Sequence, residues 1–167
     1  MRRLVPRRLH RRPAALPPPP PIEVNDGQRA IQLPRRRIER AVHAALALKP
    51  RRAGPVSIAL VGDRAIRRLH FDHMGDDTPT DVLSFPLERS PGGMLGEIVA
   101  SADTARREAA RRGVAPADEL LLYVVHGVLH LLGFDDHTPA ERKRMRAAER
   151  AALRAAGIRR DLFPSRD

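Results

Sequence analysis

The chain has 167 residues, 42% of them hydrophobic, enough for one domain with a core of its own. It carries 31 Lys and Arg against 20 Asp and Glu, a net charge of +11, and no cysteine, which excludes a disulfide framework, a thiolate metal site and a cysteine nucleophile. One Tyr, four Phe and no Trp exclude a sheet that stacks bases on aromatic side chains, and no apolar run approaches the length of a membrane span. No hydrophobic segment of secretory type follows the N-terminal arginines. These features describe a soluble, cytoplasmic, basic domain whose chemistry must come from His, acids, hydroxyls or a metal.

Residues 1–20 alternate arginines with proline, end in a proline run and contain no acid, so they read as an extended Arg/Pro-rich leader outside the fold. The single domain is expected over 21–160, with a C-terminal tail at 161–167. Ile22-Glu23-Val24 reads as a short strand. Pro34 opens a helix in which Ile38, Val42, Ala45 and Leu46 recur at helical spacing, and Pro50 ends it. Val56 to Val61 is a second strand by its β-branched alternation. Asp63 is the expected N-cap of a helix continued by Ile66 and Leu69, and 72–79 is expected as a polar loop. Asp81–Phe85 and Leu95–Ala100 are two further strands, with a Pro-Gly-Gly turn at 91–93 between them. Ser101 caps a helix that Gly113 closes. Pro116, followed by Asp118 and Glu119 in the first turn, opens the most apolar helix, which stops at Gly133. Thr138-Pro139-Ala140-Glu141 is a capping box opening a last helix that reaches Gly157. Four strands and about five helices, not strictly alternating, predict an α+β fold: a small mixed four-stranded sheet packed against helices, with a metal site on a central helix.

Three of the seven histidines fall in His126-Gly-Val-Leu-His130-Leu-Leu-Gly-Phe-Asp-Asp-His137. Four helical residues turn through about 400°, so His126 and His130 share one face. Their neighbours are nearly all apolar, and burial keeps an imidazole neutral, the form that ligates metals. Gly133 ends the helix, and the four-residue step from it to His137 spans at most roughly 14 Å, enough to bring a third nitrogen to the same ion. Three nitrogens and an open position suit a catalytic zinc. Asp136 offers an oxygen that competes for the third place. The residue after His126 is Gly127, where HExxH peptidases carry their general base, which argues against peptidase chemistry. The same glycine is expected to leave the helix face beside the metal uncrowded, so that a phosphate can approach.

His126-Gly-x-Leu-His130-Leu-Leu-Gly133-Phe-Asp resembles the signature of the YbeY family of metal-dependent endoribonucleases. Pro79-Thr80-Asp81-Val82-Leu83-Ser84-Phe85-Pro86 resembles its second motif, and Leu95-Gly96-Glu97-Ile98-Val99 with Ser101 its third. The resemblance covers Ile22 to about Gly157. It implies an α+β fold, a metal held by three histidines, cleavage of single-stranded RNA in ribosomal RNA maturation and ribosome quality control, and the ribosome or its proteins as partners. Two departures stand out. Six residues separate His130 from His137 where the family has five, so Asp135-Asp136 reads as a one-residue insertion. The position of an arginine credited in the family with catalysis is Met74, and His73 is the candidate nearby.

The expectation is therefore a hydrolytic endoribonuclease with one Zn²⁺ on His126, His130 and His137, and with His126 as the residue on which turnover depends. The ion would polarise a phosphate oxygen and activate water, and arginines near the cleft would hold the RNA backbone. The rival readings are a non-catalytic ribosome-associated factor with a structural metal, which a fourth protein ligand would favour, and a metallopeptidase-like hydrolase.

Overall fold

The computed structural model describes residues 18–88 and 92–163; the expected leader, apart from Pro18–Pro20, lies outside them. Strand β1 (Ile22–Asp26) leads through helix α1 (Arg35–Ala47) and a 3₁₀ turn (Pro50–Arg52) to β2 (Val56–Val61), then α2 (Asp63–Met74), β3 (Val82–Pro86), β4 (Gly96–Ser101), α3 (Ala102–Arg112), α4 (Pro116–Leu131) and α5 (Pro139–Ala155). The sheet order is β1-β2-β4-β3. β1, β2 and β4 are parallel, and β3 runs antiparallel to β4 with Ser84 opposite Ile98. The α+β expectation is met, with each strand and helix within a few residues of its expected place.

The pleat sorts side chains between two layers. Val56, Ile58 and Leu60 of β2 join Ile98 and Ala100 of β4 in the main core, against Ile38 and Val42 of α1 and the apolar body of α4. Each large apolar side chain among them contributes about 1.5–3 kcal/mol by leaving water. The opposite face carries a small cluster, Ile66 of α2 with Leu83 and Val99. α3 packs on α4, while α5 closes over α1 and α4. Helix α4 is thus enclosed by sheet and helices, which is why its sequence is apolar nearly all round.

Three boundaries differ from the sequence reading. Gly62, not Asp63, is the N-cap of α2; Asp63 sits in the first turn. There its carboxylate accepts bonds from Ser101 Oγ at 2.9 Å, Thr104 Oγ1 at 3.1 Å and the Arg107 guanidinium, tying α2 to the start of α3. Helix α2 also runs on to Met74, into the segment expected as loop, and closes on Gly75. Of the tail expected at 161–167, the described residues 161–163 supply core: Leu162 and Phe163 are buried, because the chain folds back beside α5, where Asp161 pairs with Arg150 at 3.1 Å. The caps at Ser101, Gly113 and the Thr138–Glu141 box form as expected.

Candidate metal centre

Helix α4 ends in a Schellman motif. Phe134 N donates to Leu129 O at 3.0 Å and Gly133 N to His130 O at 2.8 Å, with Gly133 at φ 81°, the left-handed conformation this turn requires. Lys49 Nζ and the Arg52 guanidinium donate to the freed Leu132 carbonyl at 3.4 and 3.0 Å, where cations complement the negative end of the helix. The last turn, which carries His130, is thereby held firmly.

The approach of α4 to the sheet is set by Gly127. A Cβ there would lie 2.9 Å from Ile98 Cγ2, 3.0 Å from Ser84 Oγ and 3.2 Å from Val82 Cγ2. Gly127 is buried against β3 and β4, and Ser84 Oγ donates to its carbonyl at 3.3 Å. This corrects the expectation that Gly127 leaves room beside the metal for phosphate. It faces away from solvent, and its missing side chain lets α4 lie close on the sheet.

On the other side of α4 the rings of His126 and His130 meet edge to face, with centroids 4.5 Å apart and their Nε2 atoms 2.9 Å apart. Asp136 completes the group: Oδ2 lies 3.8 Å from His126 Nε2 and Oδ1 3.9 Å from His130 Nε2. Among the described residues these three can present one ligand atom each to a single ion. The structure does not bring His137 to this point. Its side chain is 82% exposed, with Nε2 3.2 Å from Asp135 Oδ1. In this geometry the Asp136 carboxylate stands beside the two histidines, while Asp135, Asp136 and His137 form a second group whose ligand atoms lie within 4.8 Å of one another.

Sequence reasoning missed Glu149. This α5 carboxylate, 3% exposed, takes the Nδ1 proton of His126 at 2.7 Å. That bond fixes the tautomer and leaves the Nε2 lone pair facing His130. The other oxygen, Oε2, is buried with no hydrogen-bond partner among the described residues. The available signal was a charged residue on the buried stripe Met145, Ala148, Ala152, a position where an acid needs a partner. Two ligand-forming nitrogens turned toward each other beside the Asp136 carboxylate are what a cation would satisfy; the donor set fits a divalent metal.

Burial depresses both rings, but unequally in outcome. For His126 the Glu149 bond and charge, helped by Asp136 and Asp81, outweigh burial and put its pKa above the ordinary value. For His130 burial and the neighbouring His126 prevail over Asp136 and Asp135, and its pKa is lowered. The remaining histidines of the described residues lie elsewhere. His43 bonds the Pro20 carbonyl through Nε2 at 3.0 Å, half-buried on α1. His70 bonds Thr78 O at 2.8 Å, and His73 lies against Phe85. Met74 is exposed beyond them.

His126 and Asp136 open on a cleft of about 1050 Å³ between α3, α4 and α5, rimmed by the 79–81 loop. Further along its α4 floor, burial pushes the Glu119 carboxyl up despite Arg112, whose Nη1 donates to both carboxylate oxygens at 2.6 and 2.8 Å. Burial and that nearby carboxylate hold Tyr123 well above its ordinary pKa, as a neutral phenol.

Fold and site together define an α+β protein with a histidine–histidine–carboxylate group that reaches an arginine-lined cleft through His126 and Asp136. The model of the family described as Endoribonuclease YbeY matches residues 23–157, and the chain belongs to that family. It is 46% identical over 125 residues to the Endoribonuclease YbeY of Anaeromyxobacter sp. strain Fw109-5, covering 74% of this chain and 65% of that one. It is 39% identical over 139 residues to that of Rhodopirellula baltica, covering 82% and 72%. The chain therefore spans about two thirds of the length of these relatives. The solution structure of TM1509 from Thermotoga maritima superposes with a TM-score of 0.56 at 25% identity, over 81% of this chain and 88% of that one.

Proposed function

We propose that this protein is a metal-dependent endoribonuclease that hydrolyses single-stranded RNA, with ribosomal RNA as its substrate in the cytoplasm and the ribosome as its place of action. The observation that carries the reading is the convergence of His126 Nε2, His130 Nε2 and the Asp136 carboxylate on one point, beside a cleft lined by His126 and Asp136, in a chain of the Endoribonuclease YbeY family. Two imidazoles and one carboxylate suit Zn²⁺ and leave the rest of its coordination to water and substrate. A divalent ion held there would supply Lewis acidity toward the phosphodiester and acidify an attacking water.

The chain's own groups have separate tasks. His126 and His130 present their Nε2 atoms, Glu149 holds His126 in the tautomer that can ligate, and Asp136 adds negative charge and an oxygen. Arg142 donates to the carbonyls of Asp136 and His137 at 3.1 and 2.7 Å and so steadies the segment that delivers Asp136. The three-ligand geometry supports catalysis over a structural metal, for which a fourth protein ligand is the usual arrangement. Gly127 offers no general base of the peptidase kind.

The test is incubation of the purified chain with single-stranded RNA, before and after chelation and again after Zn²⁺ is restored. Cleavage that stops and returns is expected, and His126→Ala should abolish it while the protein stays helical. Equal, chelator-insensitive cleavage by wild type and variant would refute the reading.

A further inference from the structure

The cleft's two walls carry arginines of different standing. On the α3 wall Arg107 is bound to Asp63 and Arg112 to buried Glu119, so their charge is largely spent within the protein. On the α5 wall Arg142, Arg146 and Arg150 all line the cleft. They recur every four residues, a rise of about 6 Å per step along one helix face, which is the span of one sugar–phosphate unit in an extended strand. Each is held in place. Arg142 is fastened to the two backbone carbonyls beside the candidate metal ligand. Arg146 lies 4.4 Å over the Phe163 ring, with Arg150 5.2 Å from the same ring. Of the three, Arg150 pairs with a carboxylate among the described residues, Asp161 at 3.1 Å; that carboxylate is 53% exposed, against 32% for Asp63 and 2% for Glu119, so a phosphate can replace it more readily. The acid that α5 itself turns into the cleft, Glu149, is committed to His126.

We propose that Arg142, Arg146 and Arg150 form a rail for three successive phosphates of the single-stranded RNA, starting beside the metal group at Arg142 and running along α5 toward Phe163. The inference rests on the RNA-cleaving reading above and deepens it by giving the strand a path. The rail makes the substrate's position depend on backbone charge and not on base identity. It also makes the footprint on this side of the cleaved bond three nucleotides, with the α3 wall left to shape the cleft. Aromatic platforms are not needed, because guanidinium groups pre-set by Phe163 and the loop carbonyls lose little freedom on binding.

The test uses the metal-loaded full chain and a labelled single-stranded 2′-O-methyl oligoribonucleotide, its intactness checked on a gel, with anisotropy read across a salt series. Removing one arginine–phosphate pair should reduce the slope of log affinity against log salt by about 0.7, so the triple Arg→Gln variant should flatten it by about 2. Arg146→Gln is the most telling single change, and Arg146→Lys should keep the slope because it keeps the charge. Lys143→Gln and Arg144→Gln, on the same helix but outside the cleft, should leave it unaltered. A wild-type slope in the folded triple variant, or an equal flattening in the Lys143 and Arg144 variants, would overturn the rail. If the wild type cleaves RNA while the rail variants bind with an unchanged slope, the rail fails and the enzymatic reading stands. If the wild type does not cleave but the rail variants change the slope as stated, the reverse holds.

Discussion

Gly127→Ala tests whether the close approach of α4 to the sheet is what aims the two histidines. Two effects oppose each other. Replacing glycine by alanine inside a helix is worth about 1 kcal/mol in helix propensity. Against it, the new methyl would stand 2.9 Å from Ile98 Cγ2 and 3.2 Å from Val82 Cγ2, and overpacking a filled core costs about 1–3 kcal/mol. Ile98 is fully buried on β4, which is held between β2 and β3, so it has nowhere to retreat. The balance is a net loss of about 1 kcal/mol, a drop in Tm of about 2–4 °C for a domain of this size. Any relief must come from α4 moving off the sheet, which carries His126 and His130 with it. Metal affinity should therefore fall as well. Urea unfolding of the metal-free protein gives the first quantity, and titration with Zn²⁺ against a chromophoric chelator gives the second. Metal-free Gly127→Ala as stable as wild type or more so, with unaltered affinity, would mean that helix propensity wins and that the close approach does not position the site.

Glu149→Gln keeps the shape of the His126 partner but removes its charge; Zn²⁺ affinity should fall about 10–100-fold, as for other outer carboxylates on ligating histidines, and the same chelator competition would show it. Asp136→Ala should lose the metal whereas His137→Ala should retain it, and the opposite order would return the third position to the histidine. Asp63 has its pKa lowered chiefly by the Arg107 hydrogen bond, with Ser101 and Thr104 adding to it against burial. A lowered folded value means stability that is complete above the unfolded pKa of about 3.9 and is lost as pH falls through the folded one. Asp63→Asn should accordingly lose less of its stability than wild type on acidification below that range, as followed by circular dichroism in urea at a series of pH values.

The fold was legible where local chemistry and global packing agree. Thr138 and Glu141 form their reciprocal cap because both partners lie within four residues, and the period-2 pattern of Val56, Ile58 and Leu60 sorts itself onto one face whatever the neighbouring strands are. What lay beyond reach depended on distant packing. Glu149 is one acid on an Arg-rich helix until α5 is packed on α4, when it meets His126. Gly127 looks like open space in a sequence; only the placement of Ile98 and Ser84 shows that the space is filled. Leu162 and Phe163 look like a frayed end, and are core because the chain turns back after Gly157.

The third ligand shows the same limit at the scale of one residue. Between the Schellman turn at Gly133 and the N-cap Thr138 there are four residues, Phe134 to His137, and both ends are fixed by their own hydrogen bonds. Phe134 is spent at one end, with Lys49 Nζ 4.0 Å over its ring. The segment carries no regular structure and bends at His137 and Thr138. His137 Nε2 lies 3.2 Å from Asp135 Oδ1, and the Asp136 carboxylate lies 3.8 and 3.9 Å from His126 and His130. Chain reach allows His137 to arrive, and its exposed side chain already has a ligand atom within 4.8 Å of one on Asp136. The loop thus sets two candidate ligands, Asp136 and His137, side by side, and the paired Asp136→Ala and His137→Ala variants decide between a carboxylate and an imidazole as the third donor.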